Sequence, residues 1–328
     1  MSSHRHAFNI GLNVGGMVLP MLVGVLTVPG LLQRLGQEKF GVLALGWALV
    51  GYFGFLDLGM GRALTQYLAS ADQAGVSRQE QATVACAARR LLGGLSLGMA
   101  LLLWLLLPWL ASFVQMPADL RAQTLATTPL LALAVPLAMW FACSTGVLEA
   151  RSRFAVVNSV RIPTGVGNFV APWLVSLFTA DLFWVIASLL VVRLAGALGM
   201  AWWARPEFAP PAPRWPSAGI RQLMRFGGWM TVSNLVGPVM SYFDRFAIAA
   251  WVTVAAVTHY TVPFDVISRL PMVPLAIMGV LLPLLAQASH SVPGTHPQHY
   301  ATVTHTVKLL LVCWIPGMVL TAWIGPWL

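Results

Sequence analysis

Seven charged residues interrupt or border long apolar stretches of this sequence, and they are its main candidates for chemistry. They are Asp57, Arg62, Arg193, Asp244, Arg245, Asp265 and Arg269. A charge inside a bilayer is costly unless it is paired or faces water, so its presence there indicates a function. An arginine in such a place can bind an anion, whereas a carboxylate can bind a cation or orient an arginine.

Four of these residues lie in the last third of the chain. Asp265 and Arg269 are four residues apart and share one face of a helix, where they can pair. Asp244 and Arg245 lie at comparable depth in the preceding helix. The group predicts a polar cavity with arginine as the anion ligand, or a neutral ion network that joins two helices.

The remaining three residues leave alternatives of the same kind. Asp57 precedes Gly59 and Gly61, which permit close helix packing or a local break. It can bind a coupling cation or gate the inner mouth, or it can form a salt bridge at the helix end with Arg62. Arg193 has no carboxylate in its own apolar stretch, which favours a water-filled lumen over a distant partner.

The sequence contains no motif of a soluble enzyme, neither a glycine-rich phosphate loop nor a nucleophile elbow. We therefore predict no enzyme, no catalytic residue, no metal and no cofactor. Four histidines near the C-terminus have no convergent metal spacing with a carboxylate or cysteine, and they are interpreted as part of a solvated loop. They are His290, His296, His299 and His305.

The composition identifies the elements that must position these residues. Of 328 residues, 58% are hydrophobic and 9% are charged, and the mean hydropathy is +0.77. Soluble domains carry roughly 25% charged residues, so a soluble globular protein is excluded. The apolar stretches are continuous and far longer than the ~10 residues of a barrel strand. The sequence therefore predicts an all-α polytopic membrane helical bundle.

A span needs about 20 largely apolar residues, and nine such stretches are present. They run approximately over residues 6–33, 40–60, 91–114, 122–148, 162–180, 182–204, 226–252, 255–288 and 305–328. The proline-rich segment 205–222 predicts a cytoplasmic linker between a six-helix lobe, 1–204, and a second lobe, 223–328. Because the second lobe holds three spans, we expect the two-lobed chain to be truncated.

The loop charges predict the orientation. Thirteen Lys and Arg residues fall in loops on the side of the N-terminus, against three on the other side, namely Arg34, Lys39 and Arg121. Positive loops stay in the cytoplasm, so the N-terminus is predicted to be cytoplasmic. The net charge of +9 then reflects topology and contact with anionic membrane lipids, and we predict no binding to nucleic acid.

Several segments together resemble a known family. They are the pattern P-x₈-P-x₄-R-L-G-x₃-F-G that begins at Pro20, followed by GYFGFLDLGMGRALTQYLA, FGGWMTVSNLVGPVMSYFDRFAIAAWV, HYTVPFDVISRL and LLPLLAQ. The chain is similar to the polysaccharide-export branch of the multidrug/oligosaccharidyl-lipid/polysaccharide exporter superfamily, which holds the Wzx-type O-antigen and capsule repeat-unit flippases.

The resemblance implies two six-helix bundles around a V-shaped cavity, in the bacterial cytoplasmic (inner) membrane. It implies alternating access that moves an undecaprenyl-pyrophosphate-linked oligosaccharide from the inner to the outer leaflet, with H⁺ or Na⁺ as coupling ion and polysaccharide polymerase machinery as a partner. It assigns the binding of the substrate's pyrophosphate-sugar headgroup to Arg62, Arg193, Arg245 and Arg269. It assigns coupling or gating to Asp57, Asp244 and Asp265.

Three other functions remain open. A cation-coupled multidrug antiporter of the same superfamily would have an acidic, aromatic cavity, whereas three arginines and three aspartates lie within the spans. A membrane glycosyltransferase or polymerase would carry catalytic acids on a large external loop, whereas the predicted external loops are short. The third is a non-transporting partner in polysaccharide assembly.

Overall fold

The computed structural model describes residues 3–55, 60–208, 240 and 242–268. These residues form helices joined by short turns, with no strand among them, which confirms the all-α prediction for this part of the chain. The helices are α1 (Ser3–Phe55), α2 (Met60–Gln73), α3 (Arg78–Phe113), α4 (Ala118–Ala150), α5 (Phe154–Ser176), α6 (Leu182–Ala204), α7 (242–251) and α8 (Val254–Ile267), with a 3-10 turn at Arg205–Glu207.

Helix α1 consists of two helical segments that run in opposite directions. They meet at Gly36, whose φ of 76° and ψ of 166° suit glycine alone. Residues 20–30 pack against residues 165–173 of α5 in increasing order, so the first segment is parallel to α5. Residues 39–47 contact residues 180–169 in decreasing order, so the second segment is antiparallel to it. The two segments agree with the first two predicted spans.

The backbone of α1 keeps helical φ and ψ angles at Pro20 and Pro29. A glycine breaks the helix more completely than either proline, because Gly36 adopts a positive φ that reverses the chain direction. The exposed end of this reversal is held by Lys39, whose Nζ donates a hydrogen bond to the Ala180 carbonyl at 2.7 Å.

Four helical stretches among the described residues are long and apolar enough to cross a membrane. They are Leu19–Leu49, which includes the reversal at Gly36, and Arg78–Phe113, Ala118–Ala150 and Leu182–Glu207. On α3, the apolar side chains Leu97, Leu101, Leu105 and Trp109 are each more than half exposed along one face. An apolar face of this extent is stable against lipid rather than water. The chain is therefore a multi-pass membrane protein.

A buried hydrophobic core lies where α2, α3, α4 and α6 meet. Leu64 and Leu68 of α2 contribute to it, with Leu92 of α3, Val147 of α4 and Met200 of α6. All five are 1% exposed or less. This core fixes the end of the helix bundle at which α2 ends and α3 begins.

Two features differ from the sequence-based prediction or extend it. Residues 60–73, expected in a cytoplasmic loop, form helix α2, because its alanine and leucine residues give it one buried face against α4.

The chain divides into two compact units, Met1–Thr258 and His259–Leu328. The lobe boundaries at 204 and 222 stay a prediction, since the linker beyond Phe208 lies outside the described residues.

Candidate functional site

Arg193 lies at the centre of the buried face of α6. Counting in helical steps, Leu189 and Ala197 precede and follow it by four residues, and both are buried. Arg193 is eleven residues from each end of α6, or about 16 Å at the helical rise. Its side chain is half-buried. It therefore lies at the middle of a helix that is long and apolar enough to cross a membrane.

No residue that the structure describes forms a hydrogen bond or an ion pair with Arg193. A guanidinium carries five N–H donors in a planar fork, and in hydrocarbon each would need an acceptor. A half-buried arginine without a protein acceptor at mid-membrane depth is suited to water and to an anionic ligand. The assignment of Arg193 to a water-filled lumen stays a prediction.

Asn168 of α5 accompanies Arg193, and the sequence-based reasoning missed it. Gly167 packs against Val192 so closely that an added Cβ would lie 2.8 Å from Val192 Cγ1. Helices α5 and α6 are antiparallel, so the next residue on each, Asn168 and Arg193, turns to the same side of the pair. Asn168 Oδ1 is buried without a hydrogen-bond partner among the described residues. An asparagine in an apolar span was the signal that could have identified it.

Arg245 and Asp244 lie on α7, and Arg245 is more enclosed than Arg193. The Arg245 side chain is 4% exposed, and its guanidinium carbon lies 5.3 Å from the centre of the Tyr242 ring. The backbone N–H of Arg245 donates to Asp244 Oδ1 at 2.8 Å. These contacts hold both residues on their own helix, and the assignment of Arg245 to the headgroup and Asp244 to coupling stays a prediction.

The other predicted site residues are dispersed or lie outside the described chain. Arg62 is exposed in the first turn of α2 and has no ion pair within the described ranges. Asp265 is half-buried on α8. Asp57 and Arg269 lie outside the described residues, so neither their pairing with Arg62 and Asp265 nor their roles are tested.

A polar cluster joins the α2–α3 turn to the ends of α4 and α6. Arg151 donates to Asp72 Oδ2 at 2.9 Å and to Glu207 Oε2 at 2.8 Å, and its side chain is 8% exposed. Arg78 lies 3.5 Å from the same Asp72 oxygen. These groups line a cavity of about 810 Å³. With two arginines and two carboxylates, the cluster is neutral, which favours a structural role over anion binding.

Asp72 has its pKa lowered from the ordinary value. The largest cause is a hydrogen bond that Gln81 Nε2 donates to Asp72 Oδ1 at 2.9 Å, followed in favour of the anion by the charges of Arg151 and Arg78. Arg151 is one of the thirteen basic loop residues that predict the orientation, and that pattern does not indicate these contacts. Partners 79 and 56 residues away in sequence are visible only in the fold.

A second cavity, of about 580 Å³, is apolar. It lies among α1, α3, α4 and α7 and is lined by side chains such as Leu45, Leu103, Leu131, Phe243 and Phe246. Across the described residues, no group of three His, Cys, Asp or Glu side chains could hold a metal ion. The predicted histidine loop lies outside those residues. Apart from the polar cluster, the described part thus offers Arg193 and Arg245 as enclosed cations on apolar helices, together with an apolar cavity.

Comparisons with known proteins agree with this architecture. A family model described as "Polysaccharide biosynthesis protein" matches residues 7–289. A Shigella flexneri protein named "Putative O-antigen transporter" is 26% identical over 322 residues, which cover 95% of this chain and 75% of that protein. A structure described as the inward-facing conformation of a multidrug resistance MATE family transporter of the MOP superfamily has a TM-score of 0.63.

That structure is 15% identical to the chain and covers 82% of it, whereas the chain spans 63% of the structure's length. At this identity the likeness shows the fold alone. It confirms the predicted transporter fold for the matched part, and the count of nine helices remains approximate.

Proposed function

Because the chain belongs to the polysaccharide biosynthesis protein family, in the polysaccharide-export branch of the MOP superfamily, we propose that it transports a lipid-linked oligosaccharide across the membrane. The substrate is an undecaprenyl-pyrophosphate-linked sugar unit, moved from the inner to the outer leaflet by alternating access. The name of the Shigella flexneri relative supports transport of an O-antigen type of substrate. Transport of this kind is movement without covalent chemistry, and the protein is not an enzyme.

The observation that carries this proposal is Arg193, a cation at mid-membrane depth without a protein partner in the described part of the chain. A pyrophosphate cannot cross hydrocarbon bare, because loss of its hydration costs many kcal/mol. A guanidinium inside the helix bundle can replace part of that hydration with charge-assisted hydrogen bonds. The prenyl chain, being apolar, can remain in lipid while the headgroup passes Arg193.

Asn168 extends the proposed headgroup site. Its amide has both donors and an acceptor, so it can bind a sugar hydroxyl or a phosphate oxygen on the same side of α5 and α6 as Arg193. Arg62, Arg245 and Arg269 remain proposed ligands along the path. Asp57, Asp244 and Asp265 remain proposed sites for H⁺ or Na⁺ coupling or for gating.

The proposed orientation places the N-terminus in the cytoplasm of the bacterial inner membrane. The count of thirteen basic residues against three in the loops supports it. In this orientation the polar cluster around Arg151 faces the cytoplasm, and the Lys39–Ala180 contact faces the exterior. Delivery to the outer leaflet would bring the product to the polysaccharide polymerase machinery.

Complementation tests the proposal. The gene that encodes this chain is expressed in a strain that lacks its lipid-linked-oligosaccharide flippase, and surface polysaccharide is measured. Rescue should be lost in Arg193→Ala and partly kept in Arg193→Lys, whereas Arg90→Ala, which removes an exposed charge, should rescue fully. Full rescue by Arg193→Ala would overturn the assignment. Unaltered polysaccharide with raised resistance to cationic drugs would indicate an antiporter.

A further inference from the structure

We propose that α7 and the start of α8 close the outer end of the protein through a latch, here called the outer gate. It consists of Gln37, Gly41, Gln115, Ala249, Val254 and Thr258, all within the first compact unit. The inference rests on the proposed transport function, because a gate has meaning only for a transporter. Its test is nevertheless independent of transport.

Three hydrogen bonds hold the outer gate. The turn between α3 and α4 inserts Gln115 between two groups of the α7–α8 region. The Gln115 N–H donates to the Ala249 carbonyl at 3.0 Å, and the Val254 N–H donates to the Gln115 carbonyl at 3.1 Å. On α1, the Gln37 carbonyl accepts a bond of 2.7 Å from the Thr258 hydroxyl. The latch thus spans residues that are more than 130 positions apart.

Gly41 makes the third bond possible. A Cβ added to Gly41 would overlap the Val254 carbonyl oxygen and would lie 3.3 Å from Thr258 Oγ1. Val254, Val257 and Thr258 are each 1% exposed or less, and they form the face of α8 that packs on α1. Any side chain at Gly41 would therefore have to push this face of α8 away from α1.

The chemistry of these contacts suits a gate that opens repeatedly. Each of the three bonds is accepted by a backbone carbonyl, and none of the six gate residues carries a charge. Such a bond contributes modestly to stability, because water replaces it when it breaks. Breaking the latch therefore separates no charges among its six residues, and the closed state depends mainly on the close packing at Gly41.

Thiol labelling tests the gate. Val257→Cys is introduced after Cys86, Cys143 and Cys313 have been replaced by serine, and intact cells are treated with a membrane-impermeant maleimide. Val257 is 0% exposed, so labelling should be slow while the gate is closed. Phe178→Cys, at an 88% exposed position in the α5–α6 turn, gives the rate for an open outer site.

Two glycine variants then separate the gate from general packing. Gly41→Ala should speed labelling of the Val257→Cys protein about tenfold or more, because the added methyl forces the gate apart. Gly46→Ala, five residues along the same helix, should leave the rate unchanged, since its Cβ would make an ordinary contact of 3.4 Å with Leu131. Thr258→Val, which keeps the shape and removes one hydrogen bond, should speed labelling about two- to tenfold.

Equal labelling rates in Gly41→Ala and Gly46→Ala would overturn the gate. So would labelling of Val257→Cys as fast as Phe178→Cys in the parent, or failure of Phe178→Cys to react from outside, which would reverse the orientation. If labelling follows the expectation while Arg193→Ala still exports polysaccharide, the gate stands and the proposed headgroup site fails.

Discussion

Replacing Arg193 by methionine should stabilise the folded protein while it abolishes transport. Methionine is unbranched and of similar length, and it removes the charge. A central arginine costs about 2.5–3.5 kcal/mol on insertion scales. Because the Arg193 side chain is half-buried, part of that cost is already relieved by water. We therefore expect the free energy of unfolding to rise by about 1–2 kcal/mol.

Arg151→Met is the matched control, because it removes the same group from a paired position. Arg151 is 8% exposed and bonded to two carboxylates, whose own exposures are 35% for Asp72 and 23% for Glu207. Removing one partner of a fully buried pair costs about 3–5 kcal/mol, and the partial exposure reduces this. We expect Arg151→Met to lower the free energy of unfolding by about 1–3 kcal/mol.

Both variants can be compared by thermal unfolding in one detergent, followed by helical circular dichroism. A change of 1 kcal/mol shifts the midpoint by about 2–4 °C in a protein of 150–250 residues, and slightly less in a longer chain. The two variants should shift it in opposite directions. If Arg193→Met lowers the midpoint as much as Arg151→Met, Arg193 is a structural ion-pair partner and the lumen interpretation is refuted.

Two further predictions concern the cytoplasmic end of the bundle. Gly146→Ala should lower the free energy of unfolding by about 1–3 kcal/mol, since its Cβ would overlap the Gly61 backbone. Gly98→Ala should leave the free energy of unfolding unchanged, because the space around Gly98 is open. Equal stability of the two variants in thermal unfolding would refute the contact. Because the pKa of Asp72 is lowered in the folded protein, its ionised carboxylate contributes to the free energy of unfolding at any pH above the ordinary carboxyl pKa. This contribution should be lost as the pH falls below about 4. Melts at a series of pH values should show this loss in the parent and not in Asp72→Asn, where the Arg151 pair is already weakened; an identical pH dependence would contradict it.

The sequence predicts those parts of the fold that depend on local composition. Helix α6 begins and ends at the predicted residues, Leu182 and Ala204. A continuous apolar run between polar turns can satisfy its backbone hydrogen bonds in a bilayer only as a helix. The break between spans one and two at Gly36 is predictable to within a few residues for the same reason. The helix at 60–73 was missed because its stability comes from packing against α4, which no local pattern reports.

The candidate site is predictable in part. Arg193 stands out in the sequence because a charge in an apolar run is conspicuous. The pairing of Asn168 with Arg193 is not visible in the sequence, since it depends on the register between α5 and α6, which glycine contacts such as Gly167 with Val192 determine. Gly41 is an ordinary glycine until α8 is placed against it. Long-range partners of this kind are properties of the folded chain.

The most direct test of transport is a flipping measurement in reconstituted vesicles. The purified protein is placed in liposomes with a labelled undecaprenyl-pyrophosphate oligosaccharide, and a sugar-cleaving enzyme added outside reports the fraction of substrate in the outer leaflet. Vesicles with the parent protein should expose nearly all of the label within the assay, and Arg193→Ala vesicles should remain near the half exposed by protein-free liposomes. Equal exposure by the parent and Arg193→Ala would contradict the central role of Arg193, and no exposure beyond half by the parent would contradict transport itself.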